Sequence, residues 1–458
     1  MTEAQPRWVR FEITIEPVDP WTLLPPLQED GSRLMAWSAP SKKTTFVAVG
    51  SLMEFRPSGA SRFDEARAWW EPISKQMISR DGSGQVCQSN TPACVAGFAF
   101  RSDRDRSEEW AAWGDGVLCV PEILIWSTPD THLAVFTIDS AKHDVVQRLA
   151  VLRAQFLDWS VRAKPHHTVV ANGHVVKNGR GDGAWEAWRS RVKDAQSTMA
   201  TSALRKVVLA RSQGYSPAET HCFDPLATAW ALRERQLDST TFLIRRKDGQ
   251  AFLGSSPETL VQLAQGEVQT VALAGTRRRD ANSSEEDAAL AAALLDSKKD
   301  RQEQEYVAEA IVEALTPYVD ELNQSPDPEV VRHPDVQHLR TTIRGRLAKD
   351  ATIFELVKQL HPTPAVGGLP RESALAWLDV NEQLDRGWYA GPIGWIDPNG
   401  EGEFVVAIRS VLMADDMASA FAGCGLVPNS DPEDEWEESQ VKLQTVRQGL
   451  AFQQSTDR

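Results

Sequence analysis

Trp388-Tyr-Ala-Gly-Pro-Ile-Gly-Trp-Ile-Asp397, then Pro398-Asn399-Gly400, then Glu403-Phe-Val-Val-Ala-Ile-Arg-Ser-Val-Leu-Met413 is the stretch that decides the fold class. Two apolar, aromatic and β-branched runs around a Pro-Asn-Gly turn read as an antiparallel hairpin, because Asn and Gly tolerate the left-handed backbone of a tight reversal. The same strand pattern recurs upstream at Thr44 to Val49, Ala93 to Phe100, Lys206 to Arg211, Ala251 to Gly254, Val268 to Ala274 and Thr341 to Leu347. Phe11, Ile13 and Ile15 alternate with Glu12, Thr14 and Glu16, as in a half-buried strand. Helical spacing appears around Phe63, Ala66 and Trp70, through Leu149, Leu152 and Phe156, and from Trp185 to Ala200. A long helix is predicted from Ser284 to Leu322, followed by a loop from Asn323 to Asp335 that holds three prolines. Strands first, helices inserted and a hairpin late point to α+β rather than a regular βαβ repeat.

The glycine-rich stretch Gly173 to Gly183 is the best boundary in the chain. It divides an α+β portion over 1–184 from a catalytic region over 185–452, with a tail at 453–458. It reads equally as a long loop within one fold. At 458 residues, with 41% hydrophobic and 25% charged residues, the chain has the composition of an ordinary soluble protein. A net charge of −15 argues against general nucleic-acid or anionic-membrane binding, and requires a local basic pocket for any anionic substrate. No apolar run reaches the ~20 residues of a membrane span. Met1 to Pro6 lacks the basic-then-apolar pattern of a secretory signal, so a cytoplasmic protein is expected. Cys87, Cys94, Cys119, Cys222 and Cys424 are few and scattered, which suits reduced thiols. His166-His167 reads as a surface turn, and no glycine-rich phosphate loop is present.

Chemistry concentrates in the second half. In Glu435-Trp-Glu-Glu438-Ser-Gln-Val-Lys442, a helix places Glu435, Glu438 and Lys442 on one face, with Asp431 as N-cap and Pro432 in the first turn. Upstream, Gly423-Cys-Gly425 would let a ligand reach backbone N–H groups. The competing reading is a solvated charged helix. Lys206 opens an apolar strand, either snorkelling at its end or held in a pocket as a base. Glu258 ends Gly254-Ser-Ser-Pro-Glu258, either as an exposed turn carboxylate or as a buried general acid. Glu303 continues the stripe Val307, Ile311 and Leu315, with Asp300 one turn earlier. An inward carboxylate needs a cation or a protein partner. Glu303 and Glu438 could share one Mg²⁺, which favours oxygen ligands, or each could pair with an arginine. Arg409 lies in an apolar strand, as a clamp on a substrate carboxylate or as one half of a core ion pair. His338 could hydrogen-bond a ligand or simply be a satisfied half-buried residue.

Taken in order, Lys206-Val-Val-Leu-Ala-Arg211, Gly254-Ser-Ser-Pro-Glu258, Leu273-Ala-Gly-Thr276, Lys299-Asp-Arg-Gln-Glu303, His338-Leu339, His361-Pro-Thr-Pro-Ala-Val-Gly-Gly368, Arg386-Gly-Trp-Tyr-Ala-Gly391, Ala407-Ile-Arg409, Gly423-Cys-Gly425 and Glu435 to Lys442 resemble the chorismate-utilising enzymes, and among them isochorismate synthases most closely. The resemblance covers roughly residues 185–450. It implies one α+β unit in which two large curved antiparallel sheets face each other with helices outside.

It also implies roles. Mg²⁺ would be held by Glu303 and Glu438, with Asp300 and Glu435 behind its waters. Tyr389, Arg409, the backbone of Gly423 and Lys442 would hold anionic parts of chorismate, and Gly275, Thr276, His338 and Ala365 would line its ring. Lys206 would deprotonate the water that attacks C2, and Glu258 would protonate the departing C4 hydroxyl. Ala274 stands where aminodeoxychorismate synthases that form a covalent adduct have lysine. Retention of Lys206 separates the chain from anthranilate synthase, so no amidotransferase subunit is expected. Pro364-Ala365 favours isochorismate synthase over salicylate synthase, which goes on to eliminate pyruvate. Gln304 replaces the family's usual histidine. A silent chorismate-binding homologue is the reading from a different class. The product would feed menaquinone, siderophore or salicylate formation, from a monomer or weak homodimer.

Overall fold

A computed structural model of the chain describes residues 6–102, 104–163, 169–171, 175–177, 183–217, 223–280, 283–332, 336–414, 416–450 and 452–454. Two large sheets, of fourteen and ten strands, carry the fold. Pairing among the described residues is antiparallel, except where Trp8–Thr14 runs parallel to Met77–Asp81. The architecture is α+β, as the hairpin predicts. That hairpin forms between Pro392–Ile396 and Gly402–Val406, and Asp397 Oδ1 closes the turn by accepting from the backbone N–H groups of Asn399 and Glu401 at 2.8 and 2.9 Å.

Both sequence portions build both sheets. Leu34–Ala39 pairs with Thr240–Arg245 in the larger sheet, and Cys94–Phe98 pairs with Pro392–Ile396 in the smaller. Alternation along single strands shows where the cores lie. Met35, Trp37 and Phe252 join the aromatic core shared by the two sheets. Their neighbours Leu34, Ala36, Ala251 and Leu253 face a second core, completed by Leu152, Phe156, Leu226 and Leu443 from helices on the outside. A side-chain period of two thus feeds two layers from one strand.

Four expectations need correction. The long helix is two, Ser284–Asp296 and Lys298–Leu315. Ser297 ends the first and caps the second, its hydroxyl accepting from Asp300 N at 3.3 Å. Beyond Leu315 the chain is extended, because Val319–Gln324 pairs with Val336–Leu347. The proline-rich loop contains a further strand, Glu329–Arg332, on the same partner. The run Glu403 to Met413 is not one strand. Gly402–Val406 belongs to the smaller sheet and Ser410–Ala414 to the larger, and the chain crosses between them at residues 407–409.

Within the glycine-rich stretch, Val175–Lys177 is a short strand at the edge of the larger sheet, paired with the end of Lys206–Pro217. Residues 172–174 and 178–182 on either side of it lie outside the described residues, as do His166-His167, Cys222 and the last four residues of the expected tail. The first two residues of that tail belong to a short strand, Phe452–Gln454, that pairs with Val169–Ala171. No described helix is long and apolar enough to cross a membrane.

Candidate active site

The crossovers between sheets make the site. Ala251–Ser256 ends in the larger sheet and Thr259–Ala264 begins in the smaller, so Pro257 and Glu258 bridge them as residues 407–409 do. The two bridges are tied together, Val406 N donating to Glu258 O at 3.0 Å and Ser255 N to Arg409 O at 3.2 Å. Arg409 takes a left-handed backbone (φ 52°), a conformation that costs a non-glycine residue energy and recurs where function fixes a side chain. A charge in an apolar run is explained by this: Arg409 sits at the gap between sheets, in the wall of a pocket enclosing about 160 Å³.

Lys206, Glu258, Gly275, Thr276, Asp300, Glu303, His338, Ala365, Tyr389, Arg409, Gly423, Glu435, Glu438 and Lys442 all line this one pocket. Every residue assigned to the site from the sequence is therefore brought together, from widely separated parts of the chain.

Lys206 begins the strand Lys206–Pro217, is 7% exposed, and donates from Nζ to Glu303 Oε1 at 2.7 Å. Glu258 is 3% exposed. Burial pushes its carboxyl up to about 7, against the opposing pull of a hydrogen bond from Thr363 and the charges of Lys206 and Lys442. It is a carboxylic acid poised to give up a proton near neutrality. The exposed-turn reading of Glu258 and the snorkelling reading of Lys206 both fall away.

At the other end, Lys298–Leu315 and Pro432–Leu450 bring their N-terminal portions to the pocket, carrying Asp300, Glu303, Glu435 and Glu438. Asp431 Oδ1 caps the second helix by accepting from Glu433 N and Asp434 N, as expected. Glu303 and Glu438 each pair with a lysine, Lys206 and Lys442. Lys442 Nζ lies 2.6 Å from Glu438 Oε1 and donates to Gly423 O at 2.9 Å. Burial would raise the Glu438 carboxyl, but the charge and hydrogen bond of Lys442, the charge of Arg409 and a hydrogen bond from Cys424 together hold the group below its ordinary range. Glu435 gains less relief: burial and the charge of Glu438 push it up to about 7, against a hydrogen bond from Ser430. Asp300 reaches Arg277 at 3.6 Å.

The pocket wall around Gly275, Thr276 and His338 is built by exceptions to regular structure. A bulge interrupts the pairing of Glu267–Arg278 with Val336–Leu347 between Ala274 and Thr276, and Gly275 takes φ +66° there. The bulge sets Thr276 opposite His338, whose Nδ1 lies 3.0 Å from Thr276 Oγ1. Tyr389 stacks on Phe421, with ring centroids 5.3 Å apart, and burial pushes its hydroxyl up to about 12, so it stays a neutral donor. Gly425 leaves room for Lys206, since a Cβ there would lie 2.8 Å from its Cε.

Three contributors carried no assigned role in the sequence reading. Lys299 lines the pocket rim. Gln304 is buried, donating to Ala272 O and Thr341 Oγ1 at 2.8 and 3.0 Å, which gives it a structural role. Thr363 donates to Glu258 Oε1 at 3.1 Å. Lys299 and Thr363 stood inside quoted motifs and Gln304 one residue past one, but spacing alone does not say which of these side chains faces a partner from another element.

The model of the family described as "chorismate binding enzyme" matches residues 1–451. The chain belongs to that family. Within it, the chain is 35% identical to the salicylate biosynthesis isochorismate synthase of Pseudomonas aeruginosa, over 98% of this chain and 91% of that one. Identity with isochorismate synthase MenF of Bacillus subtilis is 32%, over 90% and 87% of the two chains. The solved structure of MenF, the menaquinone-specific isochorismate synthase from Escherichia coli, superposes with a TM-score of 0.77 at 25% identity, covering 98% and 95% of the two chains. The match extends through the N-terminal portion, where the motifs resemble the family only loosely.

Proposed function

We propose that this chorismate binding enzyme is an isochorismate synthase, isomerising chorismate by adding water at C2 and releasing the C4 hydroxyl. One observation carries the reading: an amine, Lys206, and a buried carboxyl poised near neutrality, Glu258, line the same pocket, with alanine at 274. Water is a poor nucleophile and hydroxide a poor leaving group. A base on the water and an acid on the departing oxygen address both, each contributing typically about 10²–10⁴ in rate. Lys206 takes the proton of the incoming water and Glu258 gives one to the leaving hydroxyl. The double bonds shift between the two positions, and one water enters as another leaves, so the formula is conserved while the hydroxyl oxygen is exchanged. Arg409, Lys442 and the neutral Tyr389 hydroxyl bind and orient the anionic groups against the repulsion of a −15 chain.

The carboxylate end fits a hard divalent cation. Glu435 and Glu438 are like charges in contact range, and the raised Glu435 carboxyl is the strain a cation would relieve. Cys424 Sγ lies within 4.8 Å of their ligand oxygens, but it donates to Glu435 O at 3.2 Å, and burial raises its thiol well above the usual range. The available donors are therefore oxygens, which suit Mg²⁺. Glu303 and Glu438 would hold it, with Asp300 and Glu435 through water. When bound, it would neutralise and fix the ring carboxylate.

Incubation of the purified protein with chorismate, with and without a chelator, tests the reading. Isochorismate that disappears on chelation is expected. Salicylate with pyruvate as dominant products would move the assignment to salicylate synthase. Bound chorismate recovered intact would leave a silent binding protein.

A further inference from the structure

We propose that Thr363 is a positioning residue for the acid, its hydroxyl holding Glu258 Oε1 so that the proton to be transferred sits on Oε2. The inference rests on the reading of Glu258 as the general acid.

Thr363 is 4% exposed and Glu258 3%, so the 3.1 Å bond between them is protected from water. A protonated carboxyl has one acceptor oxygen and one oxygen bearing hydrogen. A hydroxyl that donates to Oε1 makes that oxygen the acceptor and leaves the proton to the other. Once the proton has gone to the leaving group, both oxygens are acceptors and carry charge. The Thr363 bond then becomes charge-assisted and stronger. An interaction that strengthens along the reaction coordinate lowers the barrier rather than merely binding the ground state. Lys206 and Lys442 are the charged groups that act on Glu258 across the pocket.

The backbone around Thr363 links acid to base. Thr363 O accepts from Val366 N and Gly367 N at 3.1 and 2.8 Å, flanking Ala365 of the pocket wall. Gly367 O in turn accepts from Val208 N at 3.0 Å, two residues along the strand that Lys206 opens. Three hydrogen-bonded steps, Glu258 to Thr363, Thr363 to Gly367 and Gly367 to Val208, thus set the spacing across which the two groups work.

Thr363→Val keeps the shape and removes the donor, whereas Thr363→Ser keeps the donor and removes the methyl. In Thr363→Val, kcat on chorismate is expected to fall about 10- to 100-fold with KM little changed, the loss typical of one buried hydrogen bond to a charged group. The alkaline limb of its kcat/KM profile should move up by about one pH unit, since a carboxylate without its donor holds a proton longer. Thr363→Ser should keep both the rate and the limb. Infrared titration of the carboxyl band that Glu258→Gln abolishes gives a readout in the ligand-free protein, and its midpoint should move up in Thr363→Val alone. Wild-type kcat and an unmoved limb in Thr363→Val would overturn the proposal, as would equal damage from Thr363→Ser. If the wild-type protein leaves chorismate unconverted, the functional reading fails, and the infrared midpoint still decides: unmoved in Thr363→Val, it overturns the role of Thr363 as well.

Discussion

Glu258 shows how far one residue's surroundings set its chemistry. The carboxyl is ordinary in composition and raised to about 7 only because the two sheets close over it. A general acid must carry its proton, so kcat/KM should fall as pH rises through about 7, and Glu258→Gln should lose at least about 100-fold in kcat. A pH–rate profile that stays flat from about 6 to about 9 would remove Glu258 from that role. Gly425 makes a converse point about Lys206. Its backbone is ordinary, and what matters is space: a Cβ would meet Lys206 Cε at 2.8 Å and approach Glu303 Oε1 at 3.6 Å. Gly425→Ala should therefore keep its circular dichroism spectrum and thermal midpoint close to wild type while losing most of its turnover. Equal activity would mean that the lysine has room to move aside.

At the scale of elements, the break between two helices matters most. The helical pattern from Ser284 to Leu322 reads continuously, yet Ser297 ends one helix and caps the next. The second helix therefore begins beside the pocket, with Asp300 in its first turn and Glu303 one turn later. Loss of a serine cap typically costs about 1 kcal/mol. Ser297→Ala should lower the denaturant midpoint by a corresponding amount and, on the proposed Mg²⁺ site, raise the Mg²⁺ concentration needed for half-maximal activity, because the first turn carrying Asp300 loosens. Gln304 anchors the same helix to the sheet beneath. Gln304→Leu would remove the hydrogen bonds to Ala272 O and Thr341 Oγ1, at a cost of about 1–3 kcal/mol for two buried bonds, read as a lower thermal midpoint.

At the scale of the whole molecule, stability depends on how closely the two sheets approach. Gly387 has φ +50°, and a Cβ there would lie 1.9 Å from Trp110 Cδ2, inside the aromatic core that the sheets share. The tryptophan is fully buried among Trp113, Phe252 and Phe421 and has nowhere to go. Gly387→Ala should yield an insoluble protein or one whose thermal midpoint drops by many degrees, whereas Gly400→Ala, at an open turn, should cost only its backbone strain. Comparable midpoints for the two variants would show that the sheets can part at little cost.

Strand and helix periods were legible in the sequence because burial of one face imposes spacing of two or about 3.6 on any chain that folds this way. The hairpin at Pro398-Asn399-Gly400, the capped helix from Pro432 and the strand opened by Lys206 needed no partner to be read. The chemical types of the site were legible less directly: Lys206, Glu258 and Arg409 each read alone as structural or functional, and only the ordered set of motifs assigned them. What only the tertiary structure decided is where runs change sheets and which side chains then meet. The run from Glu403 to Met413 looks uniform, and its division at Arg409 comes from a neighbouring strand on each side, not from its own residues. Likewise, the pairing of Lys206 with Glu303 and of Thr363 with Glu258 depends on closing loops of roughly a hundred residues. Local spacing carries no information about contacts at that range, because they form only when both sheets have closed.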